Sequence, residues 1–220
     1  MSYDVLADPR DIGVKVIEGF ADPSEVSAVL RETQDASRVQ WFDAHKTYVN
    51  QRGLTIVQNH FVYALKLGRG DQSPLAALPA TVALYRRTEQ FIRSLSPFFA
   101  SLAGWQADEL SLHLYDDPDV GLSRHRDNRR FVGLIAIVAV DGECDLVITH
   151  DGEDMALPVR PGALSLLRAP GLIDADAEIR PEHGVHNLRT DTRLSMMLRA
   201  NDRPAEPVPG SQYNNWNGII

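Results

Sequence analysis

One cysteine, Cys144, stands in the whole chain. An internal disulfide is therefore excluded, which fits a reducing cytoplasm, and any metal site has to be built from histidine and carboxylate. No stretch comes near the ~18 consecutive apolar residues that a membrane-spanning helix needs, so no membrane partner is expected. The opening residues Met1-Ser2-Tyr3-Asp4 have neither the basic start nor the apolar core of a signal peptide, and a cytoplasmic location is expected. Basic residues are outnumbered, 22 Lys and Arg against 30 Asp and Glu, for a formal net charge of -8. Grip on long nucleic acid runs on Lys and Arg. The balance weighs against such a partner but leaves room for a local basic patch. Internal repeats and low-complexity tracts are absent too.

The length suits one substantial domain. Residues 12–20 alternate well enough for an opening strand. Asp22-Pro23-Ser24-Glu25 reads as a helix start, with Asp22 as cap and Pro23 in the first helical position; that helix should run to about Arg38. From 40 to 70 the pattern is irregular. Trp41, Phe42, Tyr48, Phe61 and Tyr63 are scattered among His45, Asn50, Gln51, Arg52, Asn59 and His60. These aromatics read as packing residues, or as a lid of strands and loops over a planar or polar ligand. Gly68-Arg69-Gly70-Asp71 is a turn cluster. A long amphipathic helix is expected over about 80–102, with Pro97 stopping or kinking it.

After about residue 109 the pattern changes to short strands separated by turns. Leu110 to Tyr115 alternates cleanly, Phe131 to Val140 is a buried apolar run, and Thr192 to Ala200 is the last strand. Residues 171–182 read as a loop. Many short strands at regular spacing indicate a sandwich or jelly roll. The expected architecture is α+β: N-terminal helices and a lid-like region over 1–108, a double-stranded β-helix (jelly roll) core over 109–200, and a tail over 201–220. Nothing in the pattern sets an oligomeric state.

His125-Arg126-Asp127 carries the chemistry. His-x-Asp on a short extended segment puts an imidazole and a carboxylate on one side, because residues two apart share a face. A second imidazole from a distant strand would complete a 2-His-1-carboxylate triad. That ligand set fits non-haem Fe(II) and leaves one face of the metal open. His183 and His186 compete for the third position. Around the motif, Arg124, Arg126, Arg129 and Arg130 form a basic cluster, either partners for Asp116, Asp117 and Asp119 or contacts for phosphates.

Taken together, Tyr115, Leu122-Ser123-Arg124-His125-Arg126-Asp127, Glu182-His183-Gly184-Val185-His186 and Arg193-Leu194-Ser195-Met196-Met197-Leu198-Arg199 resemble the Fe(II)/2-oxoglutarate dioxygenases, and most closely their AlkB-like branch. The resemblance is strong over about 110–200; the N-terminal half matches only in its order of elements. It implies that His125, Asp127 and His183 ligate Fe(II), the spacing to Arg193 favouring His183 over His186. It implies that Arg193 pairs with the far carboxylate of 2-oxoglutarate, that Tyr115 reaches the same carboxylate, and that Arg199 lies near the C1 carboxylate and Asp127. The branch commonly has Asn two residues before the tyrosine. Here His113 stands there, and its contact with 2-oxoglutarate is expected to be pH-sensitive.

The implied activity consumes 2-oxoglutarate and O2 and hydroxylates a C–H bond, or removes an N-methyl group as formaldehyde. The expected substrate is a small or nucleotide-like molecule. An alkylated base in nucleic acid, held by lid aromatics and by Arg52, Lys66 and Arg69, is the alternative. A non-catalytic jelly roll with a structural metal is a further one, disfavoured by Arg193.

Overall fold

The computed structural model describes residues 3–8, 10–50, 53–67, 73–173 and 180–202. Arg52, the Gly68–Asp71 turn with Arg69, residues 174–179 of the 171–182 loop and the tail from 203 lie outside the described residues.

After a short turn of helix, α1 (Asp4–Ala7), the chain enters β1 (Val14–Ile17) and then α2 (Pro23–Gln34). Asp22 caps α2 as its sequence predicts. Its Oδ1 accepts from Ser24 N at 2.9 Å and Glu25 N at 3.0 Å, while Glu25 Oε2 accepts from Asp22 N at 2.9 Å. Two orphan donors of the first turn are thus satisfied reciprocally. The helix stops at Gln34, short of Arg38, because Asp35 leaves helical geometry and folds its carboxylate back onto Ser37 N at 3.0 Å.

Four strands follow: β2 (Phe42–Asp43), β3 (Lys46–Val49), β4 (Thr55–Gln58) and β5 (His60–Lys66). Next come α3 (Ser73–Ala76) and α4 (Pro79–Ser94). The N-terminus of α4 is capped from α2: the buried Glu32 carboxylate accepts from Ala80 N at 2.6 Å and Thr81 N at 2.9 Å. The single helix expected to 102 ends at Ser94 instead, and a 3-10 turn occupies Ala100–Leu102. Pro97 accounts for the break, since it cannot donate and disfavours helical geometry before it.

The remainder is all strand: β6 (Glu109–Tyr115), β7 (Val120–His125), β8 (Phe131–Asp141), β9 (Cys144–His150), β10 (Glu153–Val159), β11 (Leu164–Arg168), β12 (Glu182–His186) and β13 (Arg193–Asn201). Strand β10 had no sequence signal of its own. Its side chains are mostly exposed and it includes Pro158, which an edge strand tolerates. The tight turn from β8 to β9 depends on Gly142, whose φ is +73° and where a Cβ would meet Thr192 O at 2.3 Å.

Two antiparallel sheets result, in the strand orders β1-β11-β8-β13-β6-β5-β2 and β10-β9-β12-β7-β4-β3. This is a double-stranded β-helix, and both sheets recruit strands from the N-terminal half. The larger sheet is buried on both faces, and alternation sorts its side chains. Leu110, Leu112, Leu134, Ala136, Leu194, Met196 and Leu198 pack outward against Val26 and Val29 of α2 and Leu84 and Ile92 of α4. Tyr115, Ile135, Ile137 and Met197 point inward, toward Leu122, Cys144, Leu146 and Val185 of the smaller sheet. The helices thus brace the larger sheet from behind, and the polar residues that alternate with its leucines are forced into the space between the sheets. No helix among the described residues is long and apolar enough to cross a membrane.

Candidate metal centre and anion pocket

Strands β7 and β12 pair so that His125 and His183 are direct partners, with ring centroids 4.4 Å apart. Asp127 lies just past the end of β7. Ligand atoms of His125, Asp127 and His183 all fall within 4.8 Å of one another, and all three residues are buried. Each histidine is oriented the same way. His125 Nδ1 donates to Ser123 O at 3.0 Å and His183 Nδ1 to Pro181 O at 3.1 Å. Those bonds leave both Nε2 atoms as the lone pairs available to a metal. His186 takes no part in the cluster; it pairs with Val120 at the other end of β12.

Electrostatics prepare the ligands for a cation. Burial, then the neighbouring His183, push the His125 pKa down to about 4, so its imidazole is neutral at physiological pH. Burial alone would raise the Asp127 carboxyl. The Arg199 guanidinium, followed by the two imidazoles and Arg180, outweighs burial, and the carboxyl titrates below its usual value. Arg199 Nη2 sits 3.6 Å from Asp127 Oδ1, and Arg180 donates to the Asp127 main-chain oxygen.

The same cavity, of about 170 Å³, is lined by His113, Tyr115, Arg193 and Arg199. Arg193 and Tyr115 are cross-strand partners on β13 and β6, and the guanidinium lies 5.1 Å from the Tyr115 ring centroid. Arg193 is 3% exposed, and its Nε and Nη1 have no hydrogen-bond partner. Among the described residues no carboxylate lies within ion-pair distance of it. A buried guanidinium without a counter-ion is costly, and an anion entering this cavity would offset that cost. Ser195, also fully buried with an unpartnered hydroxyl, alternates with Arg193 on the same face. Three clustered ligands, two of them lining the cavity that Arg193 also lines, fit a divalent iron together with a dicarboxylate.

His113 faces this space, with its Nε2 2.9 Å from Ser111 Oγ. The pH-sensitivity expected of His113 is not borne out. Burial, with His60 and both arginines adding, holds the His113 pKa well below its usual value, and the ring stays neutral through the physiological range. Gly121 is required by the tyrosine, because a Cβ there would lie 2.6 Å from Tyr115 Cδ1.

Of the basic cluster, Arg124 pairs with Asp154 at 2.9 Å, Arg126 with Glu182 at 3.6 Å and Arg130 with Glu109 at 2.9 Å. Carboxylates engage these three, but not Asp116, Asp117 or Asp119. Asp116 instead holds His45. Among the lid aromatics, Phe42 lines the cavity mouth, Trp41 and Tyr63 pack on the helical side, and Tyr48 packs between the sheets. The cavity also takes in two buried polar residues, Gln58, which the sequence did not single out, and His60, which it placed only in the lid region. Both lie where β4 hands over to β5, a crossover between sheets that no local spacing reveals.

No protein-family model matches the chain, and no curated protein matches it in sequence. Solved structures match it in fold. A prolyl hydroxylase from Trichoplax adhaerens, in complex with a hypoxia inducible factor oxygen degradation domain peptide fragment, superposes with a TM-score of 0.57 at 16% identity, over 86% of this chain and 84% of its own. OsALKBH1 gives a TM-score of 0.58 at 10% identity, covering 86% of this chain and 98% of that one. JOX2, in complex with 2OG, Fe and JA, gives 0.59 at 15% identity, covering 95% and 77%. The chain is therefore similar in fold to the Fe(II)/2-oxoglutarate oxygenases, across several of their branches.

Proposed function

We propose that this protein is an Fe(II)- and 2-oxoglutarate-dependent dioxygenase acting on a C–H bond of a small or nucleotide-like substrate. The observation that carries the reading is Arg193, a buried guanidinium without a counter-ion among the described residues, in the cavity that His125 and His183 line beside Asp127. A purely structural metal would have its coordination filled by protein, and such a module has no use for that charge.

His125, Asp127 and His183 hold the iron. Arg193 receives the far carboxylate of 2-oxoglutarate through its planar fork, with the Tyr115 hydroxyl and Ser195 beside it. Arg199 holds Asp127 ionised and adds positive charge where the other carboxylate enters. His113, kept neutral, offers a hydrogen bond in the position where the AlkB-like branch commonly has Asn. Iron(II) held there would supply, with O2, the oxidising power for turning 2-oxoglutarate into succinate and CO2, with one oxygen atom going to each of succinate and the substrate C–H bond. The apolar walls, Ile137, Leu146, Val159 and Met197, keep water from the reacting centre.

Hydroxylation yields an alcohol; on an N-methyl group the product collapses to formaldehyde. The AlkB-like assignment rests on the Arg193-to-Arg199 spacing and on the likeness to OsALKBH1, and repair of alkylated nucleic acid is the alternative it brings. The carboxylate partners of Arg124, Arg126 and Arg130 favour the small substrate, because paired arginines are poor phosphate grips. Calorimetry of 2-oxoglutarate against the anaerobic Fe(II) form tests the reading. Iron-dependent binding supports it, and absence of binding overturns it.

A further inference from the structure

Once the metal ligands and the arginine pocket are assigned, the cavity still holds polar side chains without a task. Gln58 is 4% exposed and His60 2%; both line the cavity, and neither Gln58 Oε1 nor His60 Nδ1 has a hydrogen-bond partner. Their positions are fixed. Asn59, between them, locks the crossover through its N to Gly121 O and its Nδ2 to Val120 O, each at 2.8 Å. The His60 ring is further held between His113 and Tyr115, with centroids 5.0 Å away in each case. Burial, followed by nearby His45, drives its pKa down to about 3, and its ring bonds to the Gly121 main chain. A neutral ring that donates there keeps its other nitrogen as an acceptor, and Nδ1 is the ring nitrogen without a partner. Gln58 Oε1 is a second acceptor. Two buried acceptors in one wall call for donors on a ligand.

The mouth carries the complementary charge. Its lining there is the segment from Phe42 to Lys46, which joins β2 to β3, with Phe42, Asp43 and His45 exposed and Lys46 half-buried. The two carboxylates at this rim, Asp43 and Asp116, both hold His45, each at 2.7 Å. Lys46 stands over the Tyr48 ring at 4.9 Å and has no carboxylate within ion-pair distance among the described residues. An entering anion therefore meets Lys46 as a cation without a carboxylate partner among the described residues.

We propose that Gln58, His60 and Lys46 form the subsite for the primary substrate, and that they select a small carboxylate or phosphate carrying an O–H or N–H donor near its anionic group. Donors meet the two buried acceptors and the anionic group meets Lys46. The inference rests on the dioxygenase reading, since the subsite adjoins the proposed iron and co-substrate positions in one cavity.

The test is calorimetry on the full chain, loaded anaerobically with Fe(II) and titrated first with 2-oxoglutarate. Failure of that first titration overturns the function reading itself. The saturated complex is then titrated with hydroxy- and acylamino-carboxylates, with their methyl esters, with nucleoside 5′-monophosphates and with the parent nucleosides. The expected result is that an anionic probe binds about tenfold or more tightly than its neutral counterpart. Lys46→Met is expected to erase that preference and Lys46→Arg to keep it. His60→Leu and Gln58→Leu should weaken charged and neutral probes alike, with folding of each variant verified by its thermal melt. Whether carboxylates or phosphates respond identifies the source of the anion. Binding by none of the anionic probes, equal binding of charged and neutral probes, or a preference untouched by Lys46→Met overturns the proposal.

Discussion

His125 and His183 face one another as cross-strand partners, and each ring is turned by a bond from its Nδ1 to the carbonyl two residues earlier, Ser123 and Pro181. Antiparallel pairing of β7 and β12 thus does what sequence distance hides, and presents two Nε2 lone pairs to one point beside Asp127. His186, on the same strand, is directed elsewhere. His183→Ala should therefore lower iron affinity by more than about 100-fold, beyond what loss of a supporting hydrogen bond costs. His186→Ala should leave bound iron unchanged. Iron stoichiometry after dialysis against a graded chelator separates the two.

Arg193 gives a prediction with two signs. No carboxylate among the described residues compensates this buried charge, so Arg193→Met should leave the melting temperature of the ligand-free protein unchanged or raise it. The same variant should weaken 2-oxoglutarate binding by about 3 kcal/mol or more, over 100-fold. A structural arginine would behave oppositely, with stability falling and 2-oxoglutarate affinity unaffected. Thermal melts with and without 2-oxoglutarate read both.

Gly121 allows Tyr115 its place. A methyl group at 2.6 Å from Tyr115 Cδ1 displaces the ring or the strand, and Gly121→Ala should cost about 1–3 kcal/mol of stability. Because the same ring flanks Arg193 and His60, 2-oxoglutarate affinity should fall with it. Adding Tyr115→Leu should recover part of the lost stability and none of the binding.

Acid should unfold the iron-free protein readily. His60, His113 and His125 are buried and held neutral, with pKa values pushed below those of unfolded histidine. A depressed folded pKa contributes stability above the unfolded value, near 6.5, that is lost as pH falls from there toward the folded pKa. Each such group steepens the fall by up to about 1.4 kcal/mol per pH unit. His45 has the opposite sign. Burial lowers its pKa, but Asp116 and Asp43 together raise it overall, so its contribution holds at low pH and fades as pH rises through the raised value. Urea melts across the pH range should show a shallower acid slope in His60→Leu and a smaller alkaline loss in His45→Gln.

The jelly roll was legible because alternation is a local signal. Leu110 to Tyr115 and Arg193 to Arg199 alternate core leucines with site residues, and two residues per repeat sends one set to the helices and the other to the cavity. Asp22 announced α2 through chemistry confined to four residues. The ends of α2 and α4 were misplaced because Asp35 and the Pro97 region act against an otherwise helical pattern. Strand β10 was silent because an exposed edge carries no alternation. Gln58 and His60 could not be found from spacing, since their place in the site depends on a crossover from one sheet to the other, closed by hydrogen bonds to Gly121 and Val120 more than sixty positions away in sequence. The arginine cluster was visible, but its partners Asp154, Glu182 and Glu109 come from strands that only the fold brings near.

The most direct measurement is succinate formation from 2-oxoglutarate by the purified chain with Fe(II), ascorbate and air, beside His125→Ala and Arg193→Ala, with and without methylated oligonucleotides. The account predicts turnover that requires both residues and is not stimulated by the oligonucleotides. Stimulation by them would move the substrate to nucleic acid and keep the enzyme class. Absence of succinate, or succinate formed equally by both variants, would contradict the central claim.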